Sequence, residues 1–249
     1  MPAIRDFSGR VVLITGSSGG IGAVTATEFS KSGAQVVITG RNAKNLSDVG
    51  KECLKVSPKG LKALEVVADV NHLLRRYGVA YSITDANILD KYDGVMATNL
   101  RSVVYLTHLA VEHLEKTKGN IINISSVAGL RPYAAMALYC MSKCALDMFT
   151  KCLALELGPK GIRVNVVNPG AVKTNFGPAM GMSQQQYDHL LEDRAKAYPV
   201  GRVGQSIDIA NIILFLASDE SSFVTGINVL ADGGGLNAPV PANLFRQNK

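Results

Sequence analysis

The chain has 249 residues, 47% of them hydrophobic and 18% charged, which supplies a large core and excludes a disordered polymer. Its longest apolar runs, such as Ile212–Ala217, fall far short of the roughly 20 residues of a membrane span. Twenty-six basic against 20 acidic residues give a formal charge of +6. The basic residues are scattered and aromatics reach only 6%, which points to a solvated surface with mild attraction for anionic ligands rather than a nucleic-acid groove.

The N-terminus, Met1-Pro2-Ala3-Ile4-Arg5-Asp6, shows no apolar targeting segment, and the C-terminus no prenylation or peroxisomal signal, so the expected location is the cytoplasm. Cys53, Cys140, Cys144 and Cys152 form no C-x-x-C pair, and the four histidines show no ligand spacing. Free thiols in a reducing compartment, and no metal, are expected.

Short β-branched runs alternate with helical patterns along the chain. Val11–Thr15, Gln35–Thr39 and Leu64–Ala68 read as buried strands, as do Asn120–Ser125, Arg163–Asn168 and Ile227–Ala231. Helical patterns cover Gly22–Ser32, Val103–Lys116, Tyr139–Leu157 and Ile207–Ser218. This alternation predicts an α/β fold, a doubly wound parallel sheet of Rossmann type with helices on both faces. No linker or repeat divides residues 1–249, so a single domain is expected.

The first strand runs into Thr15-Gly16-Ser17-Ser18-Gly19-Gly20-Ile21-Gly22, and a helix follows. Glycines at 16, 20 and 22 permit a tight turn, close approach of a pyrophosphate to the backbone, and close helix–strand packing. The helix start offers free N–H groups and a positive dipole end to phosphate. No Gly-Lys-Ser/Thr follows, which excludes a P-loop. Strand, glycine turn and helix in this order predict a dinucleotide site. At the end of the second strand stand Gly40-Arg41-Asn42, where NAD-binding chains place an acidic residue. An arginine there suits the 2′-phosphate of NADP(H), which guanidinium clamps bidentately.

Tyr139-Cys140-Met141-Ser142-Lys143 puts Tyr139 and Lys143 on one helical face. A nearby ammonium favours the phenolate, so Tyr139 is expected to exchange a proton nearer neutral pH than a free phenol. Ser125 and Ser126 end the strand that starts at Asn120, and a hydroxyl at the carboxyl end of a parallel strand points into the ligand crevice.

Taken together, these motifs resemble the classical short-chain dehydrogenase/reductase family. The matching pieces are Thr15-Gly-x-x-x-Gly-Ile-Gly22, Asp69-Val70, Asn99, Ser126, Tyr139-x-x-x-Lys143, Pro169-Gly170 with Val172 and Thr174, and Asp232-Gly233-Gly234. The resemblance covers nearly the whole chain, and members that reduce 3-oxoacyl carrier-protein thioesters are among those it is similar to. It implies that Tyr139 donates or accepts the proton, and that Lys143 lowers its pKa and binds the nicotinamide ribose. It implies further that Ser126 bonds the substrate carbonyl and that Asn99 holds a water of the proton relay. By the same resemblance Thr15, Gly16, Ser18, Gly20, Ile21 and Gly22 line the phosphates, and Arg41 and Asn42 meet the 2′-phosphate. Asp69 and Val70 touch the adenine, while Pro169, Gly170, Val172 and Thr174 frame the nicotinamide. Asn165 and Asn168 read as structural. Residues 175–200 correspond to a substrate lid, and the assembly implied is a homotetramer.

The chain departs from the family over residues 70–83. A crossover helix, most of a fourth strand and an Asn-Asn-Ala-Gly turn are replaced by Asn71-His-Leu-Leu-Arg-Arg-Tyr77-Gly78-Val79-Ala80-Tyr81. Tyr77–Ile83 carries residues suited to a strand, but Asn71–Arg76 is too short for a parallel crossover, which needs a dozen or more residues. The missing strand belongs beside the first one, so its loss is expected to open a gap of about 10 Å unless the sheet re-pairs. Two readings follow. One is an NADP(H)-dependent oxidoreductase acting on a carbonyl or secondary alcohol, whose substrate would be a ketone, a 3-oxoacyl thioester, a steroid or a sugar. The alternative is a catalytically impaired binding or assembly subunit, a shortened form of such an enzyme.

Overall fold

The computed structural model describes residues 5–69, 80–179 and 182–238. Val70 and residues 71–79 of the shortened segment lie outside the described residues. Strands β1 (Val11–Ile14), β2 (Gln35–Gly40) and β3 (Leu64–Val67) form a parallel sheet in that order. A second parallel sheet joins β4 (Asn120–Ile124), β5 (Arg163–Pro169) and β8 (Asn228–Ala231), with β5 in the middle. A small parallel pair, β6 (Val172–Lys173) with β7 (Gly204–Gln205), lies beyond them. The eight helices among the described residues are α1 (Gly20–Lys31), α2 (Ala43–Val56), α3 (Ile88–Met96), α4 (Ser102–Thr117), α5 (Ala137–Leu157), α6 (Phe176–Ala179), α7 (Gln184–Ala197) and α8 (Ser206–Ala217). None of them is long and apolar enough to cross a membrane.

The six strands expected from the sequence are present, within a residue or so at each end. The helices α2, α3, α6 and α7 and the β6–β7 pair are not among the expected elements. Each has a local cause that apolar periodicity alone understates. In α2 the Asn42 side chain caps the Asn45 N–H at 3.0 Å, and only Leu46, Gly50 and Cys53 are buried, a narrow stripe at i, i+4, i+7. A reciprocal capping box between Ser183 and Gln186 starts α7, a helix whose sequence is mostly polar. A π-helical turn, Ala97–Arg101, joins α3 to α4.

Among the described residues no strand pairs the outer edge of β1 or of β4. Arg10 accepts from Gln35 N and Val12 stands opposite Val36, so parallel alternation sends the backbone groups of Val11 and Leu13 away from β2. Likewise Gly119 accepts from Arg163 N and Ser125 N donates to Val167, which turns the backbone groups of Ile122 and Ile124 away from β5. Val11 and Leu13 are 72% and 53% exposed, values foreign to a central strand. The interruption expected from the short 70–83 segment is therefore present. The alternative in which Asn71–Ile83 re-forms the strand fails for its described part. Ala80–Ile83 is coil and turn, and the Tyr81 N–H donates to the Ala135 carbonyl instead, at 2.6 Å.

Apolar packing joins the two sheets. One core gathers Ala26 and Phe29 of α1, Val36 and Ile38 of β2, Val167 of β5, and Ile209, Ile213 and Leu216 of α8. Phe7 meets Phe29 edge to face, ring centroids 4.9 Å apart, a favoured aromatic geometry. Val12, Ile14, Ile122 and Ile124 from the two unpaired strands pack against this core. A second cluster sets Leu153, Ala154 and Leu157 of α5 against Ile162 and Val164.

The β1–β2 ladder ends on a side chain. Ser17 is fully buried; its hydroxyl donates to the Ile14 carbonyl at 2.9 Å and accepts from Thr39 N at 2.9 Å. The bridge closes the ladder while the glycine turn swings off the strand. Ser17→Ala strands the buried Thr39 N–H, which costs about 1–3 kcal/mol. Urea unfolding should show that loss as a lower midpoint at unchanged slope, and an unchanged midpoint would refute the role.

Candidate active site

The glycine turn follows the carboxyl end of β1, and Ser125 and Ser126 follow the carboxyl end of β4, the side on which ligands bind in open α/β sheets. Each glycine of the turn has its own reason. Gly16 has φ +65° with open space where a side chain would go, so a ligand can approach its backbone. A Cβ on Gly22 would lie 2.7 Å from the Gly16 carbonyl oxygen and 2.9 Å from Ser17 Cα, contacts with rigid backbone. Gly20, at φ +56°, faces Thr174, whose Cβ would lie 3.4 Å from an added methyl. The turn is thereby brought against the start of the lid region. No side chain caps α1, whose N-cap is Gly19, and no acidic residue stands in its first turn. The dipole end of the helix is thus left for an anion. Ser18 lies over Gly40, where a Cβ would come within 2.8 Å of its hydroxyl. Ile21 packs on the central core. These residues fit a dinucleotide pyrophosphate.

Arg41 stands at the end of β2 and reaches Asp69, Nη1 to Oδ2 3.8 Å, both half-exposed. The two residues expected at the adenosine end are thus brought together. Asn42 caps α2 with its side-chain oxygen, an atom other than the amide nitrogen that a phosphate would engage. Thr15 follows β1 directly. Pro169 and Val172 are buried strand residues, and Gly170 donates to the Ala231 carbonyl at 3.0 Å. A Cβ on Gly170 would press on Asp232 and on the Tyr198 hydroxyl.

Asn99, Ser126, Tyr139 and Lys143 converge on the first half of α5. Asn99 sits in the π-helical turn, a feature often found at functional sites. Its Nδ2 donates to Ser142 Oγ at 3.0 Å, and Ser142 Oγ donates to the Tyr139 carbonyl at 2.8 Å. Ser126 accepts from Ala128 N at 3.1 Å, and its hydroxyl favours the ionised form of the Tyr139 phenol. Lys143 Nζ donates to the Ile124 carbonyl at 3.0 Å and lies 5.7 Å from the centre of the Tyr139 ring. The Ile124 carbonyl is one that the interrupted sheet leaves unpaired.

The titration of this group departs from expectation. Lys143 does not pull Tyr139 down. Burial pushes the phenol up to about 12, against the Ser126 hydroxyl that favours its ionised form. Burial depresses Lys143 to about 8, against the attraction of Asp147. The physical reason is low local polarity, which disfavours both charged forms.

Three residues outside the expected set belong to this neighbourhood. Asp147 is buried one turn beyond Lys143, Ser142 links Asn99 to the tyrosine, and Asn168 donates to the Ser126 carbonyl at 3.0 Å. The sequence carried one signal for Asp147, its i+4 spacing from Lys143. The lid region is anchored at two tyrosines. Tyr187 donates to the Val172 carbonyl at 3.0 Å, and the Tyr198 hydroxyl accepts from Ala171 N at 2.7 Å.

The family model described as enoyl-(acyl carrier protein) reductase matches residues 62–235. An L-xylulose reductase of Caenorhabditis elegans is 34% identical over 95% of this chain and the whole of that protein. The crystal structure of a short-chain dehydrogenase/reductase of unknown function from Caenorhabditis elegans, with cofactor, superposes with TM-score 0.85 and 36% identity, covering 95% of this chain and 98% of that one. L-sorbose reductase from Gluconobacter frateurii, complexed with NADPH and L-sorbose, gives TM-score 0.82 at 26% identity, covering 94% and 99%. The chain belongs to the short-chain dehydrogenase/reductase family, and its fold is the Rossmann-type fold of that family.

Proposed function

We propose that the chain is an NADP(H)-dependent reductase of a small carbonyl compound, with Tyr139 as the proton donor. The observation that carries this reading is the placing of the Ser126 hydroxyl near the Tyr139 phenol, beyond the carboxyl end of β4, on a chain whose β1 ends in an open, uncapped glycine cradle. A bound nicotinamide supplies the hydride; the protein orients the partners and moves the proton. Thr15, Gly16, Ser18, Gly20, Ile21 and Gly22 would hold the pyrophosphate, Arg41 the 2′-phosphate and Asp69 the adenine, with Val70 next in sequence. Pro169, Gly170, Val172 and Thr174 would frame the nicotinamide, and Lys143 its ribose. The relative crystallised with NADPH supports NADP(H) over NAD(H), as does the guanidinium at Arg41.

A phenol pushed up to about 12 is protonated at neutral pH, which suits a general acid that gives its proton to the oxygen of a carbonyl under reduction. Ser126 would bond that oxygen, and Asn99, tied to α5 through Ser142, would serve the proton relay. The relatives named for L-xylulose and L-sorbose favour a short polyhydroxy ketone among the carbonyl classes. Residues 175–200, hung on Tyr187 and Tyr198, would form the substrate lid.

A homo-oligomer in the cytoplasm, a tetramer by family resemblance, is part of the same reading. Exposed Met141, Met148 and Leu155 repeat every seven residues along α5, and Tyr105 and Leu109 add apolar area on α4, a surface suited to a sister subunit.

A second reading, a catalytically impaired binding or assembly subunit, is favoured by one observation: the unpaired edges of β1 and β4 beside the site.

Tyr139→Phe should lower NADPH-dependent reduction of L-xylulose by about 10²–10⁴-fold, the usual reach of general-acid catalysis, while NADPH binding persists. Equal activity would refute the proton-donor role, and a wild-type chain that binds NADPH but reduces no carbonyl in a panel of ketoses, ketones and 3-oxoacyl thioesters would establish the second reading. Arg41→Asp should shift the NADPH/NADH preference toward NADH by about tenfold or more, equivalent to about 1.4 kcal/mol. An unchanged ratio in steady-state kinetics would refute the role of Arg41.

A further inference from the structure

A carboxylate buried without partners is costly and tends to take up a proton. Asp147 is buried, and burial raises its carboxyl above the usual carboxylate range, while its hydrogen-bond partners and the neighbouring lysines favour the anion. Asn168 Nδ2 lies 3.1 and 3.0 Å from its two oxygens. Asn228 Nδ2 donates to Asn168 Oδ1 at 3.2 Å, which fixes the Asn168 amide with its NH2 toward the carboxylate. Gly129 leaves room for the carboxylate: a Cβ there would collide with Asp147 Oδ2. The same Asn168 NH2 donates to the Ser126 carbonyl, so a single amide ties the carboxylate to the turn carrying the serine. On α5 the order Tyr139, Lys143, Asp147 places acid, ammonium and carboxylate one turn apart along one face.

We propose that Asp147 is a positioning residue of the reaction: its carboxylate keeps Lys143 in the ammonium form and, through Asn168, holds the Ser126 turn against Tyr139. The proposal rests on the reductase reading of the same site, but its charge-holding part can be tested without turnover. Lys143 is desolvated and Asp147 is the charge that acts in its favour. The groups facing the pair are few. From α5 itself come Tyr139, Lys151 and Lys143; from the end of β4 come neutral Ser125 and Ser126, and from β5 neutral Asn168. The π-helical turn and α3, which pack on α5, contribute Asn99 through Ser142. Their charged residues Asp90, Lys91, Asp93 and Arg101 are not among the charges acting on the pair.

Asp147→Asn keeps the shape and removes the charge. Without that charge Lys143 gives up its proton at lower pH. The alkaline limb of kcat/KM for L-xylulose reduction should therefore move to lower pH by about one unit. A merely structural carboxylate would lower kcat/KM evenly across pH and leave the limb in place, and that result overturns the proposal. Acylation of Lys143 by acetic anhydride, followed by mass spectrometry as a function of pH, reads the same ionisation in the absence of turnover. Its midpoint should also fall by about one unit in Asp147→Asn, and an unmoved midpoint overturns the proposal. Asp147→Ser is the second neutral variant should the first fail to fold. A wild-type chain that reduces no carbonyl refutes the reductase reading, while the acylation midpoint still decides the role of Asp147.

Discussion

The site depends on the way helix α5 is held to the sheet beneath it. A helix resting on apolar contacts alone can slide by a fraction of an ångström, and catalysis is sensitive to displacements of that size. Here directional bonds fix it along its length. Asn123 Nδ2 donates to Thr150 Oγ1 at 2.9 Å, Ser125 Oγ to the Lys143 carbonyl at 3.3 Å, and Asn168 to Asp147. On the other side Asn99 reaches Ser142. Each bond comes from an asparagine or serine whose strand or π-helical position aims it at the helix. Buried polar networks of this kind rigidify and specify one arrangement.

That arrangement survives an interrupted sheet. Among the described residues no strand lies between β1 and β4, which belong to separate three-stranded sheets, and each has an edge with no strand paired to it there. Such an edge is a liability for aggregation and for stability. Two features blunt it. The α1–α8 layer packs across both sheets and buries residues from each in one core. At the site itself, Lys143 takes up the Ile124 carbonyl that a neighbouring strand would otherwise engage.

Much of this was legible in the sequence because the signals were local. Strand, glycine turn and helix follow one another within residues 11–31, and the left-handed Gly16 and the crowded Gly22 have the backbone reasons that a dinucleotide turn demands. Tyr139 and Lys143 share a face because helical spacing requires it. The shortened crossover was also visible by counting residues, and the unpaired β1 edge is its consequence. What the sequence did not reveal depends on long-range geometry. Asn42 is also the cap of α2, which its place after the second strand did not announce. Asn168 reads as a strand-flanking structural residue, yet it links a carboxylate on α5 to the serine turn. The direction of the Tyr139 and Lys143 shifts follows from burial, which spacing does not report. The polar helix α7 is missed because its stability rests on a capping box and on Tyr187, Leu191 and Val203 rather than on an extended apolar stripe.

The account holds that the glycine cradle and Arg41 form a working NADP(H) site on a sheet that lacks its central pairing. A thermal-shift titration of the purified chain with NADPH and, in parallel, with NADH tests this most directly. A ligand that binds only the folded state raises the melting temperature with its concentration. The account predicts one cooperative melt that rises with NADPH and rises less with NADH at equal concentration. A chain that shows no cooperative melt, or whose melt moves with neither nucleotide, would contradict it.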